Sequence, residues 1–92
     1  MIVSFRDRDT EAVAAGEPVR RFRSIQKQAQ RKLYQMHLAE RITDLNLPPG
    51  NRLEKLKGNR SGQWSIRIND QWRICFEWRE DGAYDVEIVD YH

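Results

Sequence analysis

The second half of the chain carries Glu54, Lys57, Arg67, Arg73, Asp90, Tyr91 and His92, groups that act on phosphates and protons. Together they could break an RNA phosphodiester without a metal. RNA brings its own nucleophile, the 2′-hydroxyl. The reaction then needs a base for that proton, an acid for the departing 5′-oxygen, and cations over the pentavalent phosphorane. A carboxylate or a lysine can be the base, and a histidine the acid. Arginines grip non-bridging oxygens with paired donors. Rival chemistries lack their signatures. The two His and the single Cys are far apart, without the HxxxH or CxxC spacing of a zinc site. "LKGNRSGQW" is not a phosphate-binding P-loop, and nothing marks Ser61 or Ser65 as a nucleophile with a partnered histidine. No metal or cofactor is therefore expected. Basic residues on an antiparallel sheet often only solvate it, so the case depends on what brings these side chains together.

Strands must do most of that positioning. "QWSIRI" and "QWRICFEW" alternate, placing Trp64, Ile66 and Ile68, then Trp72, Ile74, Phe76 and Trp78, on one face. Asn69-Asp70 between them predicts a two-residue hairpin loop, since both residue types tolerate positive φ. Asp81-Gly82 predicts a second turn, and "YDVEIV" a third strand with Val86 and Ile88 inward. "NRLEKLKG" reads as a further strand with a bulge or bend, because Leu53 and Leu56 have opposite parity. The other face then carries Ser65, Arg67, Arg73, Cys75, Val89 and Tyr91 and is expected to be open to water. Glu54 and Lys57 join it if the bent strand reaches. Parity sends His92 to the opposite face unless the strand end twists.

Upstream, "MIVSF" reads as a first strand. "RDRDTEAVAAG" reads as a short helix with Asp7 or Asp9 as N-cap and Gly16 just past its end. Pro18 is expected in the first turn of a longer helix, whose apolar stripe runs Phe22, Ile25, Ala29, Leu33, Met36 and on to Ile42. His37, in that helix, is expected to face solvent or be satisfied locally. "LNLPPG" ends the helix. The fold class is α+β: an N-terminal strand, two helices, then an antiparallel β-meander with one face buried against the helices.

Ninety-two residues make one domain, 1–92, with three Trp, three Tyr and three Phe to fill its core. One cysteine excludes an internal disulfide and fits a cytoplasmic address; no run is apolar and long enough for a membrane span. The net charge is only +2, but it is unevenly spread. Arg20, Arg21, Arg23, Lys27, Arg31 and Lys32 follow one another without an acid between them, and the stretch from Glu77 to Asp90 is acidic. This pattern points to a basic surface facing a polyanion.

"LKGNRSGQWSIRIN", "QWRICF" and the closing "DYH" resemble the HigB toxins of the RelE/ParE superfamily, and the resemblance covers essentially the whole chain. It implies a small RelE-like α+β ribonuclease fold and a ribosome-dependent mRNA endonuclease acting in the 30S A site, leaving a 2′,3′-cyclic phosphate. It implies neutralisation by a HigA-like helix-turn-helix antitoxin, with operator DNA reached only through that antitoxin. Lys57 and Arg73 would hold the scissile phosphate, Asp90, Tyr91 and His92 would complete the site, and His92 would be the acid. Many relatives carry His where this chain has Glu54, so the base is Glu54 or Lys57. Apart from the resemblance, the basic run and the open sheet face put Arg67, Arg20, Arg23 and Lys27 forward as RNA contacts. The competing reading is a ParE-like binding toxin that inhibits DNA gyrase without cutting RNA, since fold alone does not set function.

Overall fold

The computed structural model describes residues 1–91. Its frame is an antiparallel sheet in the order β1 (Glu54–Lys55), β2 (Trp64–Arg67), β3 (Trp72–Arg79), β4 (Gly82–Asp90), with helices α1 (Arg8–Ala14) and α2 (Gln26–Leu38) on one face. The alternating residues pack as their parity predicts. Ile66, Ile74, Phe76, Val86 and Ile88 meet Phe22, Ile25, Ala29, Leu33 and Met36 in one buried core, rimmed by Trp64, Trp72 and Trp78. The Phe22 and Trp72 rings meet edge to face at 5.4 Å. Among the described residues no helix is long and apolar enough to cross a membrane.

The first helix is built by its caps. Asp7 accepts hydrogen bonds from the Thr10 amide at 3.1 Å and the Thr10 hydroxyl at 2.7 Å. At the other end the Gly16 amide donates to Val13 and the Glu17 amide to Ala12, a Schellman closure that Gly16 permits with φ 82°. The same Thr10 hydroxyl accepts from the Ile88 amide at 3.0 Å, fastening α1 to β4.

The longer helix departs from expectation at both ends. Pro18 does not open it: Val19 is extended, and Arg20–Ile25 form a 3₁₀ helix that becomes α-helical only at Gln26. A 3₁₀ turn aligns residues three apart, so Phe22 and Ile25 both face the core before the α-helical spacing of Ala29, Leu33 and Met36 takes over. Ile42 is not part of this stripe. The chain turns extended at Ala39, and Ile42–Asn46 form a separate 3₁₀ helix tied down by Asp44, whose carboxylate accepts from the Glu40 and Arg41 amides.

The turns also differ. The β2–β3 connection is longer than two residues, and neither Asn69 nor Asp70 takes positive φ. Asn69 instead accepts the Gln71 and Trp72 amides on its side chain, so a side chain rather than a left-handed backbone makes the turn. The β3–β4 loop is Glu80-Asp81, with Gly82 as the first residue of β4. The bend expected near Leu53 and Leu56 is present: β1 lasts two residues, Leu53 packs toward the helices, and Leu56 is buried outside that core. A true bulge lies elsewhere, between the pairs Cys75–Glu87 and Glu77–Tyr84. Asp85, at φ 53°, absorbs the extra residue, which is why Ala83 and Val86 are both buried despite their odd separation.

The N-terminal segment is extended and runs parallel to β4, bridging at Ile2–Ala83 and Phe5–Val86. His37 faces solvent as expected and also serves this junction, its Nδ1 accepting the Ile2 amide at 3.1 Å. Gly82 makes the close approach possible. A Cβ there would stand 2.1 Å from the Met1 carbonyl oxygen, and its φ of 137° already disfavours any side chain. Gly82→Ala should therefore destabilise the fold by about 1–3 kcal/mol, measured by urea unfolding. A wild-type midpoint would show that the N-terminal segment contributes little to stability.

Candidate active site

Arg73 is the centre of the arrangement. Sheet register puts it opposite Arg67 on β2 and Val89 on β4, while Glu54, Ser65, Cys75 and Glu87 form the next row of the same face. The side chain of Arg73 is only 13% exposed. Burying a guanidinium is costly unless its donors are used. Its Nε donates to the Ser65 hydroxyl at 2.8 Å and its Nη2 to the Arg52 carbonyl at 2.8 Å. The Glu54 carboxylate lies 3.8 Å from Nη2, and the Tyr91 ring centroid 5.9 Å from the guanidinium carbon. Arg73 thus sits among a carboxylate, a hydroxyl and an aromatic face. A guanidinium has five N–H donors in a fixed fork; Ser65 and Arg52 take up two of them.

The left-handed Arg52, at φ 45°, closes the 3₁₀ turn Pro49–Asn51 and turns its carbonyl to Arg73. Its neighbour Asn51 is fully buried and donates to the Leu45 and Leu47 carbonyls and to Gln35. The turn that positions Arg73 is therefore itself anchored in the interior.

The face carrying Arg73 is not open to water as expected. Ser65 and Cys75 are fully buried. Residues between β1 and β2 fold back over them: Leu56 is buried, its amide donates to Gln63, and Arg60 donates to Gln63 at 3.0 Å and to Glu87 at 3.2 Å. An ion pair with Glu87 needs a cation above the sheet, and Arg60 supplies it from the loop. Burial pushes the Cys75 thiol above its ordinary range, with the nearby Arg60 opposing that rise.

The structure brings Glu54, Arg73 and Tyr91 together. Arg67 lies beside Arg73 and is ion-paired with Asp70. Asp90 is in register with Trp72 and accepts from the Gln71 side chain at 3.1 Å, while the Tyr91 amide donates to the Gln71 carbonyl at 2.5 Å. Gln71 thereby ties the end of β4 to the β2–β3 loop and holds Tyr91 at the Arg73 end of the sheet. Lys57 is exposed, just ahead of the 3₁₀ turn Gly58–Arg60. His92 lies outside the described residues. Arg20, Arg23 and Lys27 are exposed and remote in sequence from this cluster; Arg20 and Arg23 border a shallow groove with Pro18, Val19 and Gln26. The basic run is not uniform, for Arg21 pairs with Asp7 and Asp9 and covers the Phe22 ring.

Sequence reasoning missed the contributions of Ser65, Arg52 and Gln71. Cross-strand register would have paired Ser65 with its neighbours. The Arg52 and Gln71 carbonyls act through the backbone and leave no trace in residue type.

A helix pair on a four-strand antiparallel meander is also the fold of two solved YoeB–YefM complexes from Staphylococcus aureus, one of them heterotetrameric. Each is similar over 100% of this chain and 95% of the matched chain, with a TM-score of 0.58 at 19% identity. The family model described as the RelE-like toxin of the type II toxin-antitoxin system HigB matches residues 6–92, and the chain belongs to that HigB-like family. It is 47% identical over 55 residues to Toxin HigB-1 of Vibrio cholerae, covering 60% of this chain and 58% of that protein. It is 44% identical over 41 residues to Endoribonuclease HigB of Proteus vulgaris, covering 45% of each. The matches span about half the length of these curated relatives.

The cover over Cys75 has a simple readout. In native protein at pH 8 the thiol should react with an aromatic disulfide reagent at least tenfold more slowly than in urea, because it is both occluded and held protonated. Prompt labelling of the native chain would mean that the loop from Leu56 to Gln63 does not shield this face.

Proposed function

We propose that this chain is the toxin of a type II pair and an endoribonuclease that cuts mRNA in the ribosomal A site, without a metal, and is neutralised by a HigA-like antitoxin. Family membership and the relative named Endoribonuclease HigB support this reading. The observation that carries it is the Arg73 cluster: a positioned guanidinium with a carboxylate and a tyrosine beside it. Arg73 grips the scissile phosphate with the donors that Ser65 and Arg52 leave free. It thereby stabilises charge that builds on the phosphorane. Glu54 is more than half exposed and its carboxylate lies 3.8 Å from Nη2, too far for a hydrogen bond, so a phosphate can displace it from Arg73. Glu54 or Lys57 takes the 2′-hydroxyl proton. Tyr91 stacks on or hydrogen-bonds to the substrate, Asp90 supports the end of the strand, and His92 protonates the 5′-oxygen. The products are a 2′,3′-cyclic phosphate and a 5′-hydroxyl.

In single-turnover cleavage of ribosome-bound mRNA, Arg73→Ala should slow the chemical step about 10²–10³-fold, and His92→Ala about 10²–10⁴-fold. Both should leave ribosome binding nearly intact. Unchanged rates would remove these residues from the mechanism. Growth arrest with intact mRNA and a DNA-damage response would instead mark a gyrase-directed toxin.

Arg20, Arg23 and Lys27 dock the protein on ribosomal RNA backbone. Replacing all three by Gln should weaken ribosome pelleting and flatten its salt dependence, since each neutralised phosphate releases counterions. Cleavage at saturating ribosome should hold within about twofold, because phosphate contacts remote from the chemistry act on docking. Normal pelleting at both low and high salt would remove this face from docking. Equal cutting of naked mRNA would show that the ribosome is dispensable.

A further inference from the structure

Asn51 and Arg52 are adjacent, yet each holds a different cation. The Arg52 carbonyl fixes Arg73, and the buried Asn51 side chain accepts a hydrogen bond from the Lys32 ammonium. One turn of chain thus joins Lys32 on α2 to the proposed cleavage site. Beyond Lys32 lies a groove of about 290 Å³ between α2 and the β2–β3 hairpin, lined by Gln28, Arg31, Lys32, Gln35 and Ile68. Arg67 adjoins Ile68 at the end of β2. Burial, and then repulsion from Arg67, hold the Lys32 ammonium below the usual lysine range. Within this neighbourhood the carboxylate paired with Arg67 is that of Asp70, whose side chain is 99% exposed. Such a surface pair is worth little and yields to a better anion. Arg31 and Lys32 both line the groove and, among the described residues, no carboxylate does, so a position there favours a negative charge.

We infer that this groove binds a second backbone phosphate of the RNA strand whose scissile phosphate sits at Arg73. Lys32 and Arg31 supply the charge, and the Gln28 and Gln35 amides can bond ribose or phosphate oxygens. The inference rests on the RNA-cleaving reading of the Arg73 cluster and adds to it the path of the substrate strand. A strand held at two consecutive grips has its reacting phosphate oriented, which is where much of the advantage of a positioned substrate arises.

The test uses the full chain and a fluorescent single-stranded 2′-O-methyl RNA oligomer, which cannot be cut because its nucleophile is blocked. Binding is followed by anisotropy across salt concentrations. Lys32→Gln and Arg31→Gln should each weaken binding about 3- to 10-fold and reduce the logarithmic salt slope by about 0.7 per lost contact. Arg31 is exposed, so its replacement tests the groove even if Lys32→Gln disturbs Asn51 and the fold. Arg79→Gln, at the far end of β3 from the hairpin, removes the same charge and should change neither quantity. Unchanged affinity and slope in Arg31→Gln and in folded Lys32→Gln would overturn the inference. Equal weakening by Arg79→Gln, or no binding by the wild-type chain, would overturn it as well. If the oligomer shows the expected pattern while ribosome-bound mRNA stays intact, the groove stands and the cleavage reading falls.

Discussion

The architecture around the site depends on one obligation: a nearly buried guanidinium needs hydrogen-bond partners from the fold. Arg73 meets it with the Ser65 hydroxyl and the Arg52 carbonyl. Each partner has its own requirement. Ser65 must lie on the face of β2 that points away from the helices. Arg52 must take a left-handed backbone so that its carbonyl turns inward, and Asn51 must be buried to hold that turn. Without these partners Arg73 would have to swing into solvent, where entropy and hydration would leave it no defined position. The Tyr91 ring and the Glu54 carboxylate are then placed relative to a fixed cation.

The helix-side core supplies the rigidity behind this face. The period-two strands put Ile66, Ile74, Phe76 and Ile88 under the helices, which leaves the intervening residues to face the other way. The bulge at Asp85 corrects the register so that both ends of β4 keep their apolar residues inward. Thr10 and the N-terminal segment occupy the outer edge of β4, and β1 covers part of the edge of β2. The loop from Leu56 to Gln63 covers the middle of the second face through Arg60 and Glu87 and leaves the Arg73 end for the candidate site. Covering the middle of that face keeps Cys75 buried.

Much of this was legible in the sequence. Asp7, one of two acids offered as N-cap, and Gly16 mark the limits of the first helix through capping and left-handed backbone, both local effects of residue type. Alternation identified the core face of each strand, and parity put Arg67, Arg73 and Tyr91 on one side. The same local rules failed where tertiary contacts competed. Helical spacing runs from Pro18 toward Ile42, but packing of Phe22 and Ile25 favours a 3₁₀ turn first, and Asp44 closes a separate turn later. Asn69-Asp70 promised a tight hairpin, but the Asn69 side chain satisfies the backbone in a longer loop.

By itself the sequence determined which residues are apolar at which period, and hence the α+β class, the core and the face on which the cations lie. Only the tertiary structure decided that this face is half covered, that Arg73 is held by a serine and a backbone carbonyl, and that Lys32 reaches the same turn from α2. The reason is physical. Periodicity is a property of neighbouring residues along the chain, whereas a carbonyl such as that of Arg52 exists at every position and becomes a partner only when the fold turns it toward a buried charge.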